Sequence, residues 1–564
     1  MIDPPPAEDD FWNPKRLDRW TWWFVGLGVL ALSIRYLLCF PLFLDEAFLS
    51  VNYLDRGPAD LMGPLEYRQV CPLGFLWVQW AIQSLFGFSE YALRLFPFLC
   101  GLASLVAFRY LAGLVLAGTG RLLAVGIFSV AYPLVRYASQ AKPYSGDVLV
   151  TVLLLIAAVK WRADPQRQRW LWIAAALLPI LLSLCFAPVF VAGAIGLIAA
   201  LVLCRLGRSG AESHQEPAAI VVGLRSACPT LRPWLALLAY VVSFLASVTL
   251  FFVLSARAQR EASTEFMEWY WGREGAFPPL ASLAELPGWL LEQHTGDMAA
   301  YPVGGRRYGG TLTLVCALVG LVALLRRRQF FVVSLCLVPL AANFAAACVK
   351  AYPYGSHVRV MLYAAPLVCL PAGVGAAVLL KRVPTLRRHR HVPVLVTALL
   401  LAALGIAWPI RDFVRPYKME SCRENRDFAR WFWTSKSRDA ELACLDADLG
   451  VSFKGESIEG MPWSDLSDAS DLFDTSSLFR ANRAIYRPAA DPLDIERVSR
   501  EHPLRCVHFR SWTFHYDEAA FGRWLQEMQS RYRLASHETH RFPISWLPVD
   551  GRYDCVELYE FVPK

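Results

Sequence analysis

Residues 20–48 read WTWWFVGLGVLALSIRYLLCFPLFLDEAF, and this stretch decides the class of the molecule. Up to Leu44 it is apolar save for Arg35 and a few small polar residues, long enough to cross a hydrocarbon core about 30 Å thick. It then runs without a break into the adjacent carboxylates Asp45 and Glu46. Two acids at that place either mark the end of a span or sit there for chemistry, and the rest of the chain has to separate the two.

Working outward, the same kind of run recurs. The chain has 564 residues, 55% of them hydrophobic and only 18% charged. A soluble chain of this size would carry more charge and divide into several ordinary domains. Apolar runs are read at 20–43, 91–117, 121–138, 145–161, 170–187, 188–204, 233–255, 310–325, 330–349, 359–380 and 392–410. The expected architecture is an all-α polytopic membrane domain of about 11 transmembrane helices over 20–410, preceded by a short segment, 1–19. Beyond it, 411–564 has soluble composition and reads as a mixed α/β domain. Helical pattern appears at Asp427–Trp433 and Phe521–Tyr532, and strand pattern at Glu441–Leu445 and Asp554–Phe561.

The net charge of +8 does not point to nucleic acid, because the basic residues gather in short loops between apolar runs. Alternate short loops, with the segment holding Lys15, Arg16 and Arg19, contain about twenty Lys and Arg, roughly twice the number in the longer intervening loops. That bias places the N-terminus in the cytoplasm and, after eleven spans, the 411–564 domain outside together with Asp45 and Glu46. Residues 1–19 lack the pattern of a cleaved signal, so the first span is expected to stay as an anchor.

The extracytoplasmic segments hold the unusual residues. The first, 44–90, is amphipathic and proline-containing, suited to lie along the membrane surface. Residues 256–309 carry the aromatic patch Phe266–Trp271, expected to anchor at the interface, then His294, Arg306 and Arg307. Of the 14 cysteines, four fall in the soluble part, Cys422, Cys444, Cys506 and Cys555. In an oxidising compartment they allow two disulfides in three connectivities, and none has zinc spacing.

Ionisable groups at the membrane mouth are costly and therefore functional candidates. On the outer face they are Arg35, Asp45, Glu46, Lys142, Asp147, Lys350, His357 and Arg359. Tyr144 and Asp147 are three apart, on one helical face, and the helix dipole offers a purely structural account of Asp147.

Leu44–Ala47, then Gln69–Phe75 with Pro72-Leu73-Gly74, Ser89–Leu95 with Glu90 and Arg94, and Tyr137–Asp147 with Pro143-Tyr144, together resemble the N-terminal module of GT-C-fold glycosyltransferases. The likeness is greatest to glycosyltransferase family 39 and its relatives, the protein O-mannosyltransferases and the lipid A aminoarabinose transferases. Tyr352-Pro353-Tyr354-Gly355 followed by Arg359 resembles a late extracytoplasmic loop of such proteins. The resemblance implies an inverting enzyme of the bacterial inner membrane. Such an enzyme moves a sugar from a polyprenyl-phosphate carrier to an acceptor hydroxyl on a protein, lipid or glycan.

It gives Asp45 the role of general base, with Glu46 and Asp147 as further catalytic carboxylates. Lys142 and Arg359 are the candidates for the departing phosphate, His357, Arg306 and Arg307 lesser ones, and Tyr144, Arg94, Gln69 and Tyr354 complete the substrate-binding set. Where the aminoarabinose transferases carry Glu-Lys before the first-loop Pro-Leu, this chain has Gln69-Val70. A carboxylate metal ligand and a phosphate-binding lysine are therefore missing at that point. A divalent metal stays possible, with His294 a candidate ligand although a lone loop His is more often solvated, and no other cofactor is implied. A transporter or flippase of a lipid-linked glycan is the second reading, although such proteins place charges at mid-depth and show internal repeats. A third reading is a membrane-anchored structural or receptor protein whose function lies in the C-terminal domain.

Overall fold

The computed structural model describes residues 13–54, 56–163, 168–212, 228–305, 308–382, 391–418, 420–436, 441–444, 481–486, 495–510, 518–543 and 553–564. Arg306 and Arg307 lie outside the described residues. The chain divides into two compact units, the first Met1–Leu37, Cys71–Leu76 and Arg94–Phe413, the second Leu38–Val70, Trp77–Leu93 and Val414–Lys564.

In chain order the helices are α1 (Pro14–Leu37), α2 (Leu44–Ser50), α3 (Leu73–Phe86), α4 (Glu90–Val115), α5 (Gly118–Ser129) and α6 (Tyr132–Tyr137). There follow α7 (Tyr144–Ala163), α8 (Arg169–Ser183), α9 (Pro188–Glu212), α10 (Cys228–Phe251), α11 (Arg257–Arg273) and α12 (Leu286–Thr295). The helical series closes with α13 (Thr311–Arg326), α14 (Phe330–Cys348), α15 (Ala365–Lys381), α16 (His391–Val414) and α17 (Glu420–Trp431).

Among the described residues eight helices are long and apolar enough to span a bilayer: α1, α4, α7, α9, the run Arg232–Glu261 through α10, α14, α15 with the turn before it, and α16. The chain is an integral membrane protein, mostly helical, with a small C-terminal sheet. Shorter apolar helices are α3, α8 and α13.

Three features differ from the sequence reading. The run 121–138 is two helices, α5 and α6, because Pro133 in the first turn of α6 ends the ladder. The N–H of Tyr132 is taken instead by the carbonyl of Pro302 at 2.8 Å. Second, α3 occupies fourteen residues of the segment read as a surface-lying loop. Third, the chain leaves α10 through a π-turn, Phe252–Ala256, straight into α11, so the aromatic patch is helical.

Within the first unit, α13 and α15 approach at glycine. A Cβ on Gly375 would sit on the carbonyl of Cys316, and one on Gly320 on the carbonyl of Pro371. Small residues at such contacts let backbones close where lipid offers no hydrophobic drive for association. On α1 and α16, Arg35 Nη1 meets Asp412 Oδ2 at 2.7 Å with both side chains buried. The hydroxyl of Tyr132 bridges them, donating to Asp412 Oδ1 at 3.2 Å and accepting from Arg35 at 3.3 Å. Arg35 is thus a tie between helices.

The second unit contains a four-stranded sheet of order β1-β2-β4-β3, with β1 Glu441–Cys444, β2 Leu504–Arg510, β3 Tyr532–Pro543 and β4 Tyr553–Pro563. Only β1 and β2 are parallel. Leu504 faces Phe561 and Cys506 faces Tyr559 across the β2–β4 ladder, so alternate residues line one buried face. Leu525 and Met528 of α18 (Glu518–Arg531) pack on that face. Cys422 and Cys506 are buried, and the side chains of Cys444 and Cys555 lie outside the described residues.

Candidate functional site

In the first unit the Tyr137–Asp147 segment builds a buried polar nest. The chain turns sharply after α6, with the Lys142 N–H donating to the Gln140 carbonyl at 2.8 Å. Pro143 then precedes the first residue of α7, and its carbonyl receives the Asp147 N–H at 3.1 Å. Ser145 Oγ donates to the Pro97 carbonyl at 2.9 Å, tying the start of α7 to α4. The result carries Lys142 and Asp147 into the interior, 7% and 3% exposed. Lys142 is the one lysine buried to this degree among the described residues.

The position of Asp147 in the first turn suits the helix dipole. Its Oδ1 also accepts the backbone N–H of Phe186 at 3.1 Å, from the turn between α8 and α9. The Tyr144 ring meets Tyr137 edge-on, centroids 5.5 Å apart.

Cys71, just before the Pro-Leu-Gly motif, lies in the field of both charges. Burial pushes its thiol far up, Lys142 acts against that shift, and Asp147 adds to it. Tyr352 is affected likewise, its phenol raised well above the usual range by burial and then by Asp147, Tyr363 and Tyr144. Cys71 and Tyr352 thus both lie within electrostatic reach of Asp147.

The backbone N–H of Cys71 donates to Gln259 Oε1 at 2.9 Å, and Gln259 Nε2 donates to Ser255 Oγ at 2.8 Å, on the π-turn before α11. Gln259 is almost wholly buried. The glycine of the motif has its own reason, since a Cβ on Gly74 would overlap Ser183.

Arg359 and His357 belong to a second group on the end of α11. Arg359 donates to the Tyr270 hydroxyl at 3.0 Å with its guanidinium over the Trp271 ring, 5.5 Å from the centroid. His357 Nε2 stands 3.2 Å from Glu274 Oε2. The aromatic patch therefore holds these two half-buried side chains, beyond the anchoring role expected of it. Lys350 pairs loosely with Glu268 at 3.7 Å, both exposed. Arg94 is buried on α4.

Tyr354 and His294 form a pair within the same unit. His294 Nδ1 lies 2.8 Å from the Leu290 carbonyl and donates to it, while Nε2 lies 3.1 Å from the Tyr354 hydroxyl. Both ring nitrogens of His294 are thereby used, and Tyr354 packs against Trp289 and Phe344.

In the second unit the acid pair opens α2. Glu46, at the third helical position and 2% exposed, turns back so that Oε2 accepts the Phe43 N–H at 3.0 Å. This is half of a capping box, satisfying one of the orphan donors at a helix start. Asp45 is half-buried in the same turn. Gln69 donates to the Tyr67 carbonyl at 3.2 Å, while Tyr67 stacks on Phe48 of α2. Glu90 accepts the Cys39 thiol at 3.2 Å and faces Arg426 of α17 at 3.7 Å.

Sequence reasoning missed Gln259, Tyr352, Tyr270 and Glu274 as members of these groups. For Gln259 no signal stands in the sequence, because Arg257, Arg260 and Glu261 surround it in a polar stretch.

No family model matches the chain, and no curated protein matches its sequence. Among solved structures it is similar to ArnT from Cupriavidus metallidurans bound to undecaprenyl phosphate, at 12% identity and TM-score 0.49 over 95% of this chain and 98% of that one. The apo state of that protein gives 13% identity and TM-score 0.45 over the same shares. The Archaeoglobus fulgidus oligosaccharyltransferase, tethered with an acceptor peptide containing the NVT sequon, gives 12% and 0.38 over 73% of this chain and 57% of that one. These are GT-C-fold glycosyltransferases.

For a divalent metal, among the described residues no group of three or more His, Cys, Asp or Glu side chains is placed to hold an ion. One oxygen of Asp147 already receives a backbone N–H, and Glu46 is turned to its own helix start. Among the described residues the donor set offers no metal centre.

Proposed function

We propose that the protein is an inverting glycosyltransferase that takes a sugar from a polyprenyl-phosphate carrier and transfers it to an acceptor hydroxyl at the extracytoplasmic face of a bacterial inner membrane. The observation that supports the reading is the buried Lys142 in the Tyr137–Asp147 segment, which resembles the family motif. A cation in a dry surrounding suits an anionic leaving group such as a lipid phosphate, because low dielectric strengthens their attraction.

In this reading the Asp45 carboxylate takes the acceptor O–H proton as the acceptor oxygen attacks the anomeric carbon from the face opposite the phosphate. The bond between that carbon and the phosphate oxygen breaks, the electron pair leaves with the polyprenyl phosphate, and the new glycosidic bond has inverted configuration. Lys142 stabilises the departing phosphate, and low local dielectric strengthens that effect. Arg359 and His357 are assigned to the donor's phosphate or sugar. Asp147 is the second carboxylate, orienting the acceptor or holding a cation beside it, and Tyr144, Arg94, Gln69 and Tyr354 belong to the substrate-binding set.

Membranes containing the full chain, given a radiolabelled polyprenyl-phosphate sugar and candidate acceptors, test the proposal. Transfer is expected with the native chain, and a loss of at least 100-fold with Asp45→Asn or Lys142→Met at equal expression. Equal transfer in all three would remove both residues from the chemistry, and no transfer with any acceptor would overturn the enzyme reading. Labelling of cysteines introduced at positions 430 and 215 tests the orientation. Position 430 is expected to react from outside and position 215 only after permeabilisation, and the reverse would invert the topology.

A further inference from the structure

A groove of about 880 Å³ runs along the first unit between α1 and α16. On α1 its lining follows one helical face, from Arg16 and Arg19 through Trp23 and Gly26 to Leu30, with Ile406 supplied by α16. Trp23, Leu30 and Ile406 are more than half exposed, as lipid-facing side chains of a spanning helix are. At Gly26 a Cβ would meet nothing within 4 Å, so glycine leaves the floor open.

The mouth is positive. Asp18 is the acid closest in sequence, and it is held by Arg109 at 2.5 Å and Arg121 at 3.0 Å. Arg19 is exposed and makes no ion pair among the described residues.

From Arg16 to Leu30 the stripe is about 21 Å long at 1.5 Å per residue. That equals one leaflet with its headgroup, half of a bilayer about 40–45 Å thick. A much longer isoprenoid chain would overrun it. Basic residues at the membrane boundary beside a groove between helices are the arrangement that takes anionic lipid headgroups.

We infer that an acidic glycerophospholipid of the surrounding bilayer binds in this groove, its phosphate on Arg19 and Arg16 and an acyl chain over Gly26 between α1 and α16. The site is independent of the sugar-transfer reading and would hold if that reading failed.

The full chain, purified in detergent, is exposed to photoactivatable phosphatidylglycerol or phosphatidylcholine, and cross-links are mapped by peptide mass spectrometry. Phosphatidylglycerol is expected to label residues 16–30 at least fivefold over phosphatidylcholine. Gly26→Trp, which fills the groove with a better helix former than glycine, and Arg19→Gln should each remove most of that excess, while Arg19→Lys keeps it. Retention of the native elution volume and melting temperature certifies the fold of each variant. Equal labelling by the two lipids, or an excess unchanged in both Gly26→Trp and Arg19→Gln, would overturn the site. Displacement of phosphatidylglycerol by equimolar undecaprenyl phosphate would assign the groove to the carrier and overturn the proposed occupant.

Discussion

Replacing Asp412 by Ala leaves the Arg35 guanidinium buried without its carboxylate, and the cost can be worked from the geometry. The pair lies at 2.7 Å with exposures of 4% and 2%, and the Tyr132 hydroxyl touches both partners. Unit charges about 4 Å apart attract by roughly 4 kcal/mol at an effective dielectric near 20. Breaking a buried pair by removing one member costs about 3–5 kcal/mol. The two routes agree, so Asp412→Ala should lose about 4 kcal/mol.

The double variant Arg35→Met with Asp412→Leu removes both charges and keeps the volume, so it should be close to neutral or more stable than the native chain. Equilibrium unfolding of the four species in mixed micelles, by titration with SDS, measures the coupling as a double-mutant cycle. A loss below about 1 kcal/mol in Asp412→Ala would refute the reasoning, because it would place water at the pair. A double variant as unstable as the single one would refute it too, assigning the loss to packing.

The cap assigned to Glu46 separates it from Asp45. Glu46→Ala should lower stability by about 1 kcal/mol while retaining most transfer, whereas Asp45→Asn abolishes transfer and leaves the melting temperature near native. Thermal melts beside the transfer assay check the contrast. Burial pushes the Cys71 thiol far above its ordinary value, which suppresses its thiolate. Iodoacetamide at pH 8.5 should leave the Cys71 peptide unmodified while exposed Cys204 reacts, as peptide mass spectrometry would report. Gly375→Val forces a side chain onto the Cys316 carbonyl and should prevent α13 and α15 from closing. Size-exclusion chromatography is expected to show aggregation for that variant, and a monodisperse peak would contradict the close approach.

Much of the molecule is legible in one dimension because the signals are local. Length and apolarity expose the spans in α1, α4, α7, α9, α14 and α16, since a bilayer demands a continuous apolar helix of fixed length. The pattern at Glu441–Leu445 becomes β1, that at Phe521–Tyr532 lies largely on α18, and that at Asp554–Phe561 lies within β4. Strands β2 and β3 escape because His508 and Arg510, then His537, Glu538, His540 and Arg541, dilute the apolar alternation. The break between α5 and α6 was missed because hydropathy averages across it, although Pro133 is visible in the sequence.

The sequence by itself determined a membrane-spanning helical chain with acids and cations at the ends of its spans, through periodicity and the cost of charge in lipid. Only tertiary structure decided what those charges touch. Adjacent Asp45 and Glu46 look alike in sequence, yet the carboxylate of Glu46 turns back to the Phe43 N–H. Asp147 meets the backbone of Phe186, 39 residues away, and Arg35 meets Asp412 across 377 residues. Such pairs arise from which helices pack together, and local propensity carries no information about that.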